Sequence, residues 1–255
     1  DLVETPSLEA LEDAAKVIAK ENYDLIAMNG GDGTNHCSLS ALIRAYDGRP
    51  LPKVLFLKGG TMNTVPSSLG LKGNPRSLLK KALALDSKGK ELPTRSIDTM
   101  KVEDNYGFLF GTGMMANFLE VYYEGGDASP WKAVKVLTTG VASAAIGGAY
   151  IQRIAKKADL ILTLDGERWP LRSYDIVGAG TVQSVAWAFR PFYRALEVPG
   201  TFHLWGVSSG PWELAKRLPQ ILRATSPNHP EVREQLIKEL ILESADGTPV
   251  QYQVD

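Results

Sequence analysis

Two short apolar runs, each followed directly by a glycine-rich turn, are the clearest feature of the hydrophobic pattern. Residues 25–28 read LIAM and lead into NGGDGT at 29–34. Residues 54–57 read VLFL and lead into KGGTMNT at 58–64. Apolar runs of this length, bounded by turn residues, predict two buried strands.

Apolar residues at helical spacing surround both turns. Positions 8, 11, 15 and 18 predict a first helix, with Thr5 as its cap and Pro6 in its first turn. Further helices are predicted over 36–46 and 75–85. The order helix, strand, helix, strand, helix indicates a parallel sheet, whose ligands bind at the carboxyl ends of the strands. We therefore expect both turns to open at the same edge.

The pattern becomes β-rich from about residue 95. A turn at Asp104-Asn105 predicts a hairpin, and 239–243 is expected to pair with 249–254 across Asp246-Gly247. Other strands are predicted at 160–164, 171–177 and 201–207, and helices at 116–123, 130–155 and 211–223. We predict an α/β chain with an N-terminal parallel-sheet domain over 1–93. A C-terminal antiparallel, β-sandwich-like domain with helices follows over 94–255.

Composition narrows the classes of partner. The chain has 255 residues and a formal net charge of −1, so it lacks the basic excess typical of nucleic-acid binding, and we expect no nucleic acid as partner. Cys37 is its single cysteine, which excludes an intramolecular disulfide and suits a reducing compartment.

The turns themselves suggest a phosphate site. Glycines let main-chain N–H groups approach an anion, and a following helix adds the positive end of its dipole. Asp32 would repel a phosphate, so it needs a magnesium ion, a bound water or a hydroxyl to activate. A plain tight turn is the alternative, and the second turn of the same kind favours the phosphate site.

These residues resemble the diacylglycerol kinase catalytic-domain family, which includes bacterial lipid kinases and sphingosine and ceramide kinases. The resemblance rests on Gly30 to Thr34 and on Gly60-Thr61-Met62-Asn63, each after a strand. Ile97-Asp98 and the chain's end at 250–255 are similar to the family as well. The first turn is shared with NAD kinases, whereas the second favours lipid kinases.

The resemblance implies transfer of the γ-phosphoryl group of ATP, with Mg²⁺, to a lipid hydroxyl in a cleft between the domains. Diacylglycerol, a sphingoid base and ceramide are the acceptors that stay open. Asp32 would be catalytic, either holding Mg²⁺ through water or helping to deprotonate the acceptor. The residues implied to contact ATP are Thr5, Gly30, Gly31, Gly33, Thr34, Gly60, Thr61 and Asn63.

Some positions depart from the family pattern. Thr64 stands where members commonly have Asp, and Pro199-Gly200 where an Asp-Gly pair is usual. The family's opening strand is missing, which predicts a part of a longer protein, and its terminal general base would lie beyond Asp255. Two alternatives therefore stay open: an NAD kinase, and a lipid- or nucleotide-binding protein that has lost catalysis.

The resemblance also implies a cytoplasmic protein that contacts the inner face of a membrane. The helix predicted over 130–155 carries Trp131, Lys132 and Lys135 and is one candidate for that contact. Packing through its small residues is the alternative. A homodimer is a further partner that the sequence leaves open.

Overall fold

The structure is a computed structural model that describes residues 1–117, 156–185 and 189–255, together with Thr139 and Ser143. Most of the helix predicted over 116–123, and nearly all of that over 130–155 with Trp131, lie outside the described residues. The chain divides into two units, 1–107 with Asp255 and 108–254. The predicted domain boundary at residue 93 stays a prediction.

The first unit is built around two parallel strands. Their register pairs Leu25 with Lys53 and Met28 with Phe56. The elements of this unit, in chain order, are α1 (Leu8–Ile18), β1 (Leu25–Met28), α2 (Asp32–Tyr46), β2 (Lys53–Phe56), α3 (Thr64–Ser68), α4 (Pro75–Asp86), β3 (Met100–Val102) and β4 (Asn105–Gly107). The last two strands form the predicted hairpin.

Helix starts in this unit follow from capping chemistry. The Ser7 hydroxyl accepts a hydrogen bond from the Ala10 N–H (3.1 Å), so α1 begins at Leu8. The prediction that Thr5 caps this helix is therefore wrong. Asn74 caps α4 through the Ser77 N–H (2.9 Å), and Pro75 occupies the first turn as expected.

The second unit is dominated by antiparallel sheets. The elements are β5 (Leu109–Gly113), β6 (Ala158–Leu164), β7 (Glu167–Arg168), β8 (Ser173–Tyr174), β9 (Ile176–Gly180), β10 (Phe202–Val207), α5 (Pro211–Lys216), α6 (Leu218–Leu222), β11 (Val232–Ile237), β12 (Leu240–Ser244) and β13 (Tyr252–Val254). Five strands form one sheet in the order β11-β10-β9-β5-β13. A second sheet has the order β12-β6-β7, with β8 also paired to β6. Val177, Leu204 and Leu162 are fully buried within these sheets.

Two predictions for this unit need correction. The strands β12 and β13 do not pair with each other, because β12 pairs with β6 and β13 pairs with β5. The turn at Asp246 does form, but the chain leaves it for another sheet. The helix predicted over 211–223 is divided into α5 and α6. Pro219 lacks the N–H that a continuous helix would need.

The predicted fold class is confirmed at the level of a mixed α/β chain. Within the described residues the parallel sheet has two strands, and the sheets of the second unit are antiparallel. No helix of the described part is long and apolar enough to cross a membrane.

Candidate active site

The two glycine turns lie against each other at the ends of β1 and β2. Because these strands are parallel and in register, both chains leave the sheet at the same edge. The Leu57 N–H donates to the Met28 carbonyl (2.9 Å), so the pairing continues to the last strand residue before the turns. The expected convergence of the turns is confirmed.

Glycines make the contact between the turns, and side chains there would prevent it. A Cβ atom on Gly60 would lie 2.2 Å from Gly31 Cα, and one on Gly59 would lie 2.5 Å from Asn29 Oδ1. Real Cβ atoms do not come this close to other heavy atoms, and for Gly60 the atom in the way is main chain. The sequence therefore needs glycine at position 60 for the two main chains to touch.

The first turn continues directly into α2. A Cβ atom on Gly30 would lie 2.4 Å from Thr34 Cβ, so the Thr34 side chain occupies the space beside Gly30. Gly33 and Thr34 are exposed in the first turn of α2, as is Thr61 in the second glycine turn. An exposed helix start next to exposed main chain is the type of place where proteins bind phosphate.

Asp32 connects the two turns. Its Oδ2 accepts a hydrogen bond from the Thr64 N–H (3.0 Å), and its Oδ1 accepts one from the Val65 N–H (3.3 Å). Thr64 and Val65 begin α3 and are buried, so these N–H groups have no access to bulk water. The carboxylate thus caps α3 from the first turn of α2. One lone pair of each oxygen is used in this way, and the second stays available to a water or a hydroxyl.

Asn63 closes the second turn from within. Its φ of +50° lies in the left-handed region that asparagine tolerates. Its Oδ1 accepts from the Gly60 N–H (2.9 Å), and its Nδ2 donates to the Gly60 carbonyl. Both polar atoms of this buried side chain therefore hold the turn. The predicted contact of Asn63 with ATP stays a prediction.

Asn35 is a buried polar residue that the sequence interpretation missed. Its side chain is 3% exposed, and neither Oδ1 nor Nδ2 has a hydrogen-bond partner among the described residues. It follows Thr34 directly on α2. Buried amides are normally satisfied, so an ordered water or a ligand atom would complete this one. An asparagine inside a helix gave no sequence signal for such a role.

Thr5, a predicted site residue, and His36, which was not predicted as one, have simpler placements. Thr5 lies in the extended segment before α1, and its side chain is exposed. His36 lies one helical turn after Asp32, with Nδ1 at 3.0 Å from the Tyr106 carbonyl and 3.8 Å from Asp255 Oδ2. Burial lowers the pKa of His36 below its ordinary value, so at neutral pH the ring is uncharged.

The magnesium prediction rests on one carboxylate, that of Asp32. Among the described residues no group of three or more His, Cys, Asp and Glu side chains could hold a metal ion. Asp32 already caps α3 with both oxygens, so the arrangement fits a water-mediated contact with Mg²⁺ better than direct coordination. Phosphate oxygens of a bound nucleotide are the usual direct partners of this ion.

The second unit contains a polar cluster that the sequence interpretation also missed. Glu234 on β11 accepts hydrogen bonds from the Tyr193 hydroxyl (2.6 Å) and the Ser226 hydroxyl (2.7 Å). Nε2 of the fully buried His203 lies 3.3 Å from its other oxygen. Burial alone would raise the pKa of the Glu234 carboxyl, but these partners together lower it to about 2. The cluster depends on the pairing of β10 with β11, which no local motif reveals.

Comparison with known proteins identifies the N-terminal part. Residues 1–97 match the model of the diacylglycerol kinase catalytic domain. The resemblance drawn from the two turns is thereby confirmed. All predicted site residues, from Thr5 to Asn63, lie within the matched segment.

Solved structures with a similar fold also match this chain. A diacylglycerol kinase from Bacillus anthracis str. Sterne superposes with a TM-score of 0.68 at 18% identity, covering 98% of this chain and 76% of that one. A candidate diacylglycerol kinase from the same organism gives 0.67 at 17% identity, covering 98% and 79%. At such identity the similarity concerns the fold. No curated protein sequence matches the chain.

Proposed function

We propose that this protein is an ATP-dependent lipid kinase that transfers the γ-phosphoryl group to a lipid hydroxyl, with Mg²⁺ as cofactor. The acceptor would be diacylglycerol, a sphingoid base or ceramide. The match to the diacylglycerol kinase catalytic domain supports the family of the reaction. We further propose that the protein acts at the cytoplasmic face of a membrane, in peripheral contact with it.

The contact between the two glycine turns is the observation that carries the proposal. The contact between Gly31 and Gly60 brings the main chains of the two turns and the start of α2 together at one sheet edge, and the Gly60 N–H itself is used by Asn63 Oδ1. Three or more N–H groups around one concave surface can bind a polyphosphate without any lysine. Gly30, Gly33, Thr34 and Thr61 would complete this binding surface.

For phosphoryl transfer the protein mainly positions the reactants and stabilises charge, with little covalent chemistry of its own. The acceptor oxygen forms a bond to the γ-phosphorus, the bond from that phosphorus to the β–γ bridging oxygen breaks, and ADP leaves. When bound, Mg²⁺ would neutralise charge on the phosphates. The residues of this chain would position the phosphates, and Asp32 would take the hydroxyl proton or hold the ion through water. Its bonds to Thr64 and Val65 keep it at the junction of the turns.

A phosphorylation screen tests the proposal. The protein is incubated with γ-labelled ATP, Mg²⁺ and a lipid extract in mixed micelles, and the organic phase is analysed for labelled lipid. A parallel incubation contains NAD in place of lipid. We expect label in a lipid monophosphate, whose identification names the acceptor. Labelled NADP would establish the NAD kinase alternative instead, and ATP binding without any labelled product would indicate a protein that has lost catalysis.

A further inference from the structure

Helices α5 and α6 of the second unit present a continuous exposed stripe. From Trp212 onwards the exposed residues follow at steps of three or four positions, and the last step, from Pro219, reaches both Leu222 and Arg223, which places them on one side of the helical turns. Trp212 and Leu222 are 44% and 46% exposed, and both lie on this side of the helices. We call this surface the α5–α6 stripe, and it consists of Trp212, Lys216, Pro219, Leu222 and Arg223.

The opposite side of these helices attaches them to the unit. Ile221 is 1% exposed and anchors α6, whereas Leu214 and Leu218 are half-buried. Arg217 Nε, at the junction of the two helices, is buried as well. Because the helices are held from this side, the α5–α6 stripe is free to meet a partner without any rearrangement of the unit.

The charge of the segment is positive, in contrast to the whole chain. Between Pro211 and Arg223 the stripe carries two cations, Lys216 and Arg223, Arg217 lies on the attached side, and Glu213 is the one carboxylate, whereas the chain has a net charge of −1. The Lys216 ammonium contacts Glu213 and also lies 5.4 Å from the centre of the Trp212 ring. The hydrogen bond from Lys216 lowers the pKa of Glu213, so this carboxylate stays ionised. It neutralises the charge of only one of the cations.

We infer that the α5–α6 stripe docks this protein on a bilayer that contains anionic lipids. A tryptophan with neighbouring lysine, arginine and leucine on one helical side is typical of segments that lie in the membrane interface. The indole enters the headgroup region, the long basic side chains reach the phosphates, and anionic lipids supply the complementary charge. This inference rests on the proposed function, because an enzyme that phosphorylates a membrane lipid has to reach the bilayer surface.

Vesicle sedimentation tests the inference. The full chain is mixed with vesicles of phosphatidylserine and phosphatidylcholine, or of phosphatidylcholine alone, without ATP. We expect binding to the anionic vesicles and its release by salt. Trp212→Ala should weaken the binding about tenfold through lost apolar burial. In Lys216→Ala with Arg223→Ala, each lost cation should cost about fivefold.

Ile241→Ala is the matched control, since Ile241 on β12 is 48% exposed and lies outside the stripe. It should bind vesicles like the wild type. The inference is overturned if the wild type binds neither vesicle, or if the Trp212 and control variants bind equally well. Equal vesicle binding by Trp212→Ala and Ile241→Ala would show that the stripe does not contact the bilayer and would leave it only as a docking surface for a protein.

A second readout separates this inference from the proposed function. Turnover is measured on a short-chain, water-soluble acceptor and on the same acceptor class in vesicles. Trp212→Ala should lose activity on vesicles only, at unchanged turnover of the soluble acceptor. If the wild type phosphorylates neither acceptor, the kinase proposal fails, whereas the vesicle-binding result continues to decide the role of the stripe.

Discussion

Replacing Asp32 by Asn should destabilise the first unit even when no nucleotide or metal is present. The carboxylate accepts the main-chain N–H groups of Thr64 and Val65, at 3.0 and 3.3 Å. An asparagine side chain has one oxygen to accept with, and its NH₂ group would face the other N–H. One buried N–H would then lose its partner, and the remaining bond would lose its charge.

The expected loss follows from these two bonds. Hydrogen bonds to a charged group contribute about 1.5–3 kcal/mol, and an unsatisfied buried donor costs a similar amount. Because Asp32 is only partly buried, we expect a net decrease of about 2 kcal/mol in the free energy of unfolding. For a chain of this size that lowers Tm by about 4–8 °C. Thermal melting of the unliganded protein measures it, and amide exchange at Thr64 and Val65 should become faster.

Asp47→Asn is the matched control for this variant. Asp47 ends the same helix, α2, with a φ of +48°, a conformation that asparagine adopts readily. The same loss of charge at this position should change the free energy of unfolding by less than about 0.5 kcal/mol. If Asp32→Asn melts like the wild type, with unchanged exchange at Thr64 and Val65, the capping role is refuted. Asp32 would then act in the chemistry alone.

Two further predictions concern the free energy of unfolding. The folded-state pKa of Glu234, about 2, lies below its ordinary value of 4.5. The stabilisation from this carboxylate is therefore complete above about pH 4.5 and is lost as the pH falls towards 2. Urea unfolding at several pH values should show that the free energy of unfolding falls by about 2 kcal/mol more for the wild type than for Glu234→Gln across this window. If the free energies of the two proteins fall in parallel with pH, the lowered pKa of Glu234 is contradicted. Asn63→Gly should cost about 1–2 kcal/mol for its bonds to Gly60, and Asn63→Ala about 1 kcal/mol more, because alanine is strained at this φ of +50°. Equal stabilities of the Asn63 variants and the wild type would show that the turn holds without this side chain.

The sequence was sufficient for the features that depend on neighbouring residues. Gly30 to Thr34 and Gly60 to Asn63 predicted two turns because glycine after a short apolar run has few other uses. The parallel arrangement followed from the helix between the strands. These local rules located the turns on the correct edge of the sheet, and the match of residues 1–97 agrees with the family they indicated.

Features that depend on contacts between residues far apart in the chain could not be predicted from the sequence. Asp32 could be recognised as unusual, but its bonds to residues more than thirty positions later could not. The strand character of 240–244 was visible, whereas its pairing with β6 in place of β13 was not, since alternation predicts a strand but not its neighbour. The role of Glu234 was not predicted because its partners, Tyr193 and Ser226, belong to two separate loops.

We propose that the two glycine turns together bind the triphosphate, so Gly60→Ala should lower the affinity of the protein for ATP. The added Cβ atom would lie 2.2 Å from Gly31 Cα and must separate the turns. Gly48→Ala, beyond the opposite end of α2 at a φ of +78°, controls for a general loss of stability of about 1 kcal/mol. By calorimetric titration, with folding verified by melting curves, we predict that Gly60→Ala loses measurable ATP binding while Gly48→Ala retains it. A folded Gly60→Ala protein that binds ATP like the wild type would contradict the account.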